Sequence, residues 1–168
     1  MVQFEERNPV GAGVATIYIS GFAVAFRADD SAPLIWALDQ RKCADGAFLT
    51  FNKEGAHLHI VELKGKVSSG NWPNVVAQME GMYLTALAVA RLLKVLEVKS
   101  VTCYLALKND AMKKPTQAIF LKTPTGSRST LGRYEDWVDS KIRLPLAFEG
   151  SLVRATRDSS GNASFTAS

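Results

Sequence analysis

The sequence predicts an α/β fold: a central mixed β-sheet with a long central helix following a Glu62-x-Lys64 strand. Three observations carry this. Residues 47–51 and 56–63 are strand-like runs joined by Asn52-Lys53-Glu54-Gly55, a strong hairpin signal. Residues 73–96 are dominated by Ala, Leu, Met, Gln, Glu, Arg and Lys, all good helix formers, with Pro73 suited to the first turn. Residues 101–107 then read as another strand, and a strand–helix–strand crossover sets its two strands parallel. An antiparallel hairpin joined to a parallel crossover makes the sheet mixed.

Taken in order, residues 2–7 suit a short helix, which Asn8-Pro9 and Gly11-Ala12-Gly13 interrupt. The Gly-x-Gly has no third glycine at phosphate-loop spacing and no clear strand before it, so it is set aside. Residues 15–26, rich in β-branched and aromatic side chains, predict a strand bent at Gly21. Residues 27–31 form a turn, and 34–38 a short apolar strand. Beyond residue 107, Asn109-Asp110 turns the chain, 116–122 reads as a strand and 123–130 as a loop. A short helix is expected around 134–138 and a strand over 144–148. Residues 1–156 read as a single domain, and 157–168, with Asp-Ser-Ser-Gly-Asn-Ala-Ser, as a flexible C-terminal tail.

A chain of 168 residues with 47% hydrophobic side chains can bury a real core, which excludes a disordered or fibrous class. The most apolar stretch, 82–93, is too short for a membrane span and is interrupted by Thr85 and Arg91. The acidic, polar start lacks the pattern of a secretory signal, and Cys43 and Cys103 make no disulfide framework; a cytoplasmic protein is expected. The net charge of +4 permits a polyanionic partner. Between Lys113 and Arg143 there are seven basic residues against three acidic ones, a balance that, taken alone, a solvated surface explains better.

The chemistry-bearing pattern is Asp45, sixteen intervening residues, then Glu62-x-Lys64. With 52–55 as the loop, Phe51 pairs with Ala56, Leu49 with Leu58, Ala47 with Ile60 and Asp45 with Glu62. Side chains alternate with period two, so Asp45, Glu62 and Lys64 project from one face. Opposed Cβ atoms lie roughly 4.5–5.5 Å apart, close enough for two carboxylates to share a cation.

This pattern in this context resembles the PD-(D/E)XK nuclease superfamily, with its restriction-endonuclease-like fold. The resemblance covers about residues 34–107 and includes Gln78 in the adjoining helix. It departs from the family in that Ala44, not proline, precedes Asp45, and in the short N-terminal helix. The resemblance implies metal-dependent phosphodiester hydrolysis of nucleic acid, DNA favoured. It implies catalytic roles for Asp45, Glu62, Lys64 and Gln78, and Mg²⁺ or Mn²⁺ held by Asp45, Glu62 and the Leu63 carbonyl. An additional acidic ligand falls to Glu5 or Glu6. Arg41, Lys42, Lys66, Lys113, Lys114 and Arg128 would grip the nucleic-acid backbone, and a homodimer fits a family in which many members cut two strands. The competing reading is a catalytically silent protein of the same fold that binds nucleic acid or serves in assembly; a generic small-ligand domain ranks third.

Other residues carry blander readings. His57 and His59 share the strand face opposite Glu62 and have no second ligand pair, so half-buried structural histidines are expected. Cys43 has no base nearby in sequence and reads as a structural thiol. Trp36, Trp72 and Trp137 read as core, and Thr125-Gly126-Ser127-Arg128 as an exposed loop.

Overall fold

The structure, a computed structural model, describes residues 1–6, 12–27, 42–113 and 134–167. Its main sheet has six strands. β3 (Ala23–Phe26), β4 (Gly46–Asn52) and β5 (Gly55–Ser68) form an antiparallel meander. The helix α1 (Trp72–Leu92) then crosses to β6 (Val98–Ala111), which lies parallel to β5. After the short helix α2 (Tyr134–Val138) come β7 (Lys141–Leu144) and β8 (Phe148–Thr156), giving the spatial order β3-β4-β5-β6-β8-β7. β8 is parallel to β6 and antiparallel to β7, so the sheet is mixed. A second sheet holds β1 (Val2–Glu6), β2 (Gly13–Ile19) and β9 (Ala163–Ala167) in the order β1-β2-β9.

β5 explains the layering. Residues 58–63 are buried without interruption, as befits a strand covered on both faces. Leu58 and Ile60 point to α1, where they join Leu49, Met79, Met82, Cys103 and Leu105 in the larger core. Val61 and Leu63 point the other way, against Phe4, Ile17, Phe48, Tyr104 and Phe165 beneath the second sheet. The long helix therefore covers one face and three short strands cover the other. No helix among the described residues is long and apolar enough to cross a membrane.

The hairpin register agrees with the alternation pattern pair for pair, from Phe51↔Ala56 through Ala47↔Ile60 to Gly46↔Val61. The ladder reaches one step further than the four-residue loop allows, since Asn52 pairs with Gly55 and leaves Lys53-Glu54 as the turn. Gly55 supplies the turn's positive φ of 137°.

Several expectations are corrected. Residues 2–6 form β1, not a helix, because Val2 and Phe4 alternate with Gln3 and Glu5 and Phe4 is 1% exposed beneath the sheet. The 15–26 run is two strands in different sheets, parted at Gly21, where φ is 101°. Asn109-Asp110 continues β6, paired to Lys66 and Val67. In place of a strand over 144–148, Leu144 ends β7, Phe148 begins β8, and 145–147 turn between them with Leu146 and Ala147 at positive φ. The tail expected at 157–168 contains β9, paired parallel to β2, whose Ala163, Phe165 and Ala167 are buried while Ser164 and Thr166 face out. That period of two is short, and the polar run before it masks it. The strands expected at 34–38 and 116–122, the loop at 123–130 and most of the 27–31 turn lie outside the described residues.

Candidate active site

Asp45 stands one residue before the β4 ladder, facing Glu62 across the strand pair. The two are tied reciprocally. The Asp45 backbone N–H donates to Glu62 Oε2 at 3.2 Å, and the Leu63 N–H donates to Asp45 Oδ2 at 2.7 Å. A local contact fixes the approach: a side chain at Gly46 would place its Cβ 2.1 Å from the Phe4 ring. Glycine at 46 thus lets β1 press directly against the residue beside Asp45.

Glu62 is 1% exposed, and its Oε1 forms an ion pair with Lys64 Nζ. Burial pushes the Glu62 carboxyl up to about 8, and the neighbouring Asp45 charge adds to the rise; Lys64 and the Asp45 N–H oppose it. Asp45 is raised to about 6 chiefly by burial, against the Leu63 hydrogen bond and Lys64. Burial thus raises the proton affinity of both carboxyls, that of Glu62 the more.

The other expected residues divide into groups. Gln78 lies on α1, and its Oε1 is buried without a hydrogen-bond partner. No described hydrogen bond joins it to Asp45, Glu62 or Lys64. Leu63 enters the site through its N–H and is fully buried. Lys42 and Lys66 are exposed, Lys42 donating to Asn74 Oδ1 at 2.7 Å. Lys113 is exposed just beyond β6. Arg41, Lys114 and Arg128 lie outside the described residues. Glu5 is exposed on β1, whereas Glu6 binds the Arg157 guanidinium at 2.9 Å. Sequence reasoning assigned no site role to Asn74 or Arg157. Asn74 is a single polar residue in the first helical turn with no motif to mark it, and Arg157 opens a segment that looks like a tail.

The two histidines do lie away from the carboxylates. His59 is 3% exposed, stacked 4.4 Å from Phe48 between the two sheets, with Nε2 bonded to Thr50 Oγ1 at 2.9 Å. His57 Nδ1 meets Ser100 Oγ at 2.7 Å. Trp72 and Trp137 pack edge to face in the core. Cys43 is half-buried and packs against the larger core.

A divalent cation suits this donor set. Among the described residues no group of three or more His, Cys, Asp and Glu side chains converges. Mg²⁺ asks for less: one or two carboxylates and retained water. Asp45 and Glu62 supply two adjacent carboxyls, each with its proton affinity raised chiefly by burial. Comparison with known protein families, curated proteins and solved structures returned no match for this chain.

Proposed function

We propose that the chain is a metal-dependent nuclease of the PD-(D/E)XK type, hydrolysing phosphodiester bonds of nucleic acid, with DNA the favoured substrate. The observation that carries the reading is the buried Asp45–Glu62 pair, interlocked by backbone hydrogen bonds, with Lys64 bound to Glu62. The order of elements around it supports a restriction-endonuclease-like fold. An antiparallel meander carries Asp45 immediately before its second strand and Glu62 on its third, and a helix follows, then a parallel strand.

Each residue has a defined task. Asp45 and Glu62, with the Leu63 carbonyl, would hold Mg²⁺ or Mn²⁺. An ion held there would supply countercharge to the phosphate and acidity to a water molecule. Lys64, with a side chain 23% exposed, has one end in the site and access to solvent. Relieved of part of its ion pair with Glu62, its ammonium can orient the attacking water or stabilise charge growing on the phosphate. Gln78 brings a buried carbonyl oxygen with no hydrogen bond, able to accept one from that water or from Lys64. Lys42, Lys66 and Lys113 are exposed cations that would hold the polyanionic backbone, a salt-dependent contribution indifferent to sequence. A homodimer would bring two such sites to two strands.

Incubation of the purified chain with mixed DNA and RNA, with Mg²⁺, Mn²⁺ or chelator, tests this. Metal-dependent cleavage lost in Glu62→Ala and Lys64→Ala is the expected result. Binding without cleavage in any metal would identify a catalytically silent protein of the same fold.

A further inference from the structure

Among the described residues, exposed large apolar side chains gather at the end of the molecule away from the carboxylates. Three connections meet there. The β4–β5 turn lies beside the start of β6, where Ala56 pairs with Val98 and a Cβ at Gly55 would stand 2.9 Å from Lys99 Cγ. The β7–β8 turn joins them, because Phe148, just after it, shares a groove with Leu96 and Val98. On or beside these connections Leu92 is 84% exposed, Leu96 75% and Leu146 78%, and the Phe22 ring lies 6.1 Å from that of Phe51 where β3 meets β4. Single exposed leucines are ordinary; a cluster of this kind marks a surface that another molecule covers.

The groove shows what that molecule is. Tyr83, Leu87 and Ala90, one stripe of α1, line a space of about 170 Å³ together with Val95, Val98 and Phe148. An apolar cavity of this size holds one leucine-sized side chain. The exposed residues on its lining are Leu96, Arg91 and Glu97, so a protruding leucine stands beside a hole fit for one. The two charges have opposite signs, yet among the described residues no ion pair joins them. Glu97 pairs with Lys99 at 2.6 Å, both in solvent, and Arg91 enters no ion pair. A nucleic acid or an anionic lipid surface would select cations alone. A rim with one charge of each sign is complementary to itself after a two-fold rotation, the symmetry of most homodimers.

We infer that this end is a self-association surface: Leu96 of each copy enters the groove of the other, and Arg91 of each meets Glu97 of the other. Exchanging Lys99 for Arg91 sacrifices little, since an exposed ion pair is weak, and a guanidinium–carboxylate pair in a drier interface is stronger. One leucine and one groove per copy make a small interface, so the dimer is weak and concentration-dependent. The groove opens at the Ala56 end of β5, whereas Glu62 stands further along the strand, level with Leu105, so both Asp45–Glu62 pairs stay uncovered. The homodimer considered above thereby gains a surface. The inference does not rest on the nuclease reading, since neither Asp45 nor Glu62 takes part.

Sedimentation velocity of the full chain, from about 1 to 200 µM, reads this, and a dimer should grow in across the range. The measurement is made in chelator, so its failure leaves the metal-site reading untouched. Leu96→Asp should weaken association at least about thirtyfold with the melting temperature unchanged, because Leu96 is largely exposed in the single chain. Arg91→Glu and Glu97→Arg should each weaken it roughly tenfold. The double variant, which restores opposite charges across the two-fold, should return to within about threefold of wild type. A chain that stays monomeric over the whole range, or a dimer indifferent to Leu96→Asp, would overturn the inference. So would a double variant no tighter than its singles. Flotation with phosphatidylserine vesicles completes the test: a monomer that floats, and ceases to in Leu96→Asp, would make this end a lipid-docking face and overturn the inference equally.

Discussion

Glu62 is the side chain whose position makes least sense for stability alone. It is almost completely buried, faces a second carboxylate, and is balanced by one lysine. Glu62→Gln keeps an acceptor for the Asp45 N–H while removing the charge. In chelator this variant should be more stable than wild type by about 1 kcal/mol at pH 8, because the repulsion and the desolvated charge are gone. The same substitution should abolish the rise in melting temperature produced by Mn²⁺. A lower melting temperature in chelator would show that the carboxylate supports the fold. His59 behaves in the opposite sense and far from the carboxylates. Burial lowers its imidazole to about 4, with a smaller contribution from His57. Tyr104 and Thr50 bond its two nitrogens, and Tyr104 is itself raised to about 12 by burial, so it stays neutral throughout. The unfolded chain binds this proton near pH 6.5 and the folded chain does not. The contribution is therefore complete above about pH 6.5 and is lost as pH falls toward 4, amounting to on the order of 2–3 kcal/mol. Acid unfolding followed by circular dichroism should show this slope, and His59→Gln should flatten it.

The β4–β5 hairpin was the most legible element, because its pattern and its chemistry constrain one another. Alternation over residues 47–51 and 56–63, with a Gly-ended turn, admits one register that puts Asp45 opposite Glu62, and that register is observed. What escaped was β1, which carries two apolar side chains, Val2 and Phe4, and gains its meaning from a glycine forty-two residues beyond Phe4, at position 46. Contacts of that range leave no periodic trace in either segment. The Phe4–Gly46 approach is testable. Gly46→Ala should destabilise the chain by about 1–3 kcal/mol in urea denaturation, since the added methyl meets a ring in a filled core. Phe4→Leu, destabilising by itself, should cost much less in the Gly46→Ala background. Additive losses would mean that the ring yields without strain.

Taken whole, the molecule is a helix-covered mixed sheet with a second small sheet on its other face, and the two ends of the described chain meet there. β9 pairs with β2, and Arg157 reaches Glu6 of β1. Composition concealed this, since Ser, Gly, Asn and Asp fill residues 158–162 and only Ala163, Phe165 and Ala167 mark the strand. Ending the chain at Thr156 should cost at least about 3 kcal/mol, from Phe165 burial, the lost ladder and an unpaired Glu6. A dispensable tail would cost almost nothing. The reading of the whole as a nuclease rests on one cation site, and anomalous scattering from a crystal of the full chain grown with Mn²⁺ probes it most directly. The proposed site predicts a manganese peak bound by the Asp45 and Glu62 carboxylates that disappears in Glu62→Gln. A peak elsewhere, or one that survives the substitution unchanged, would contradict it.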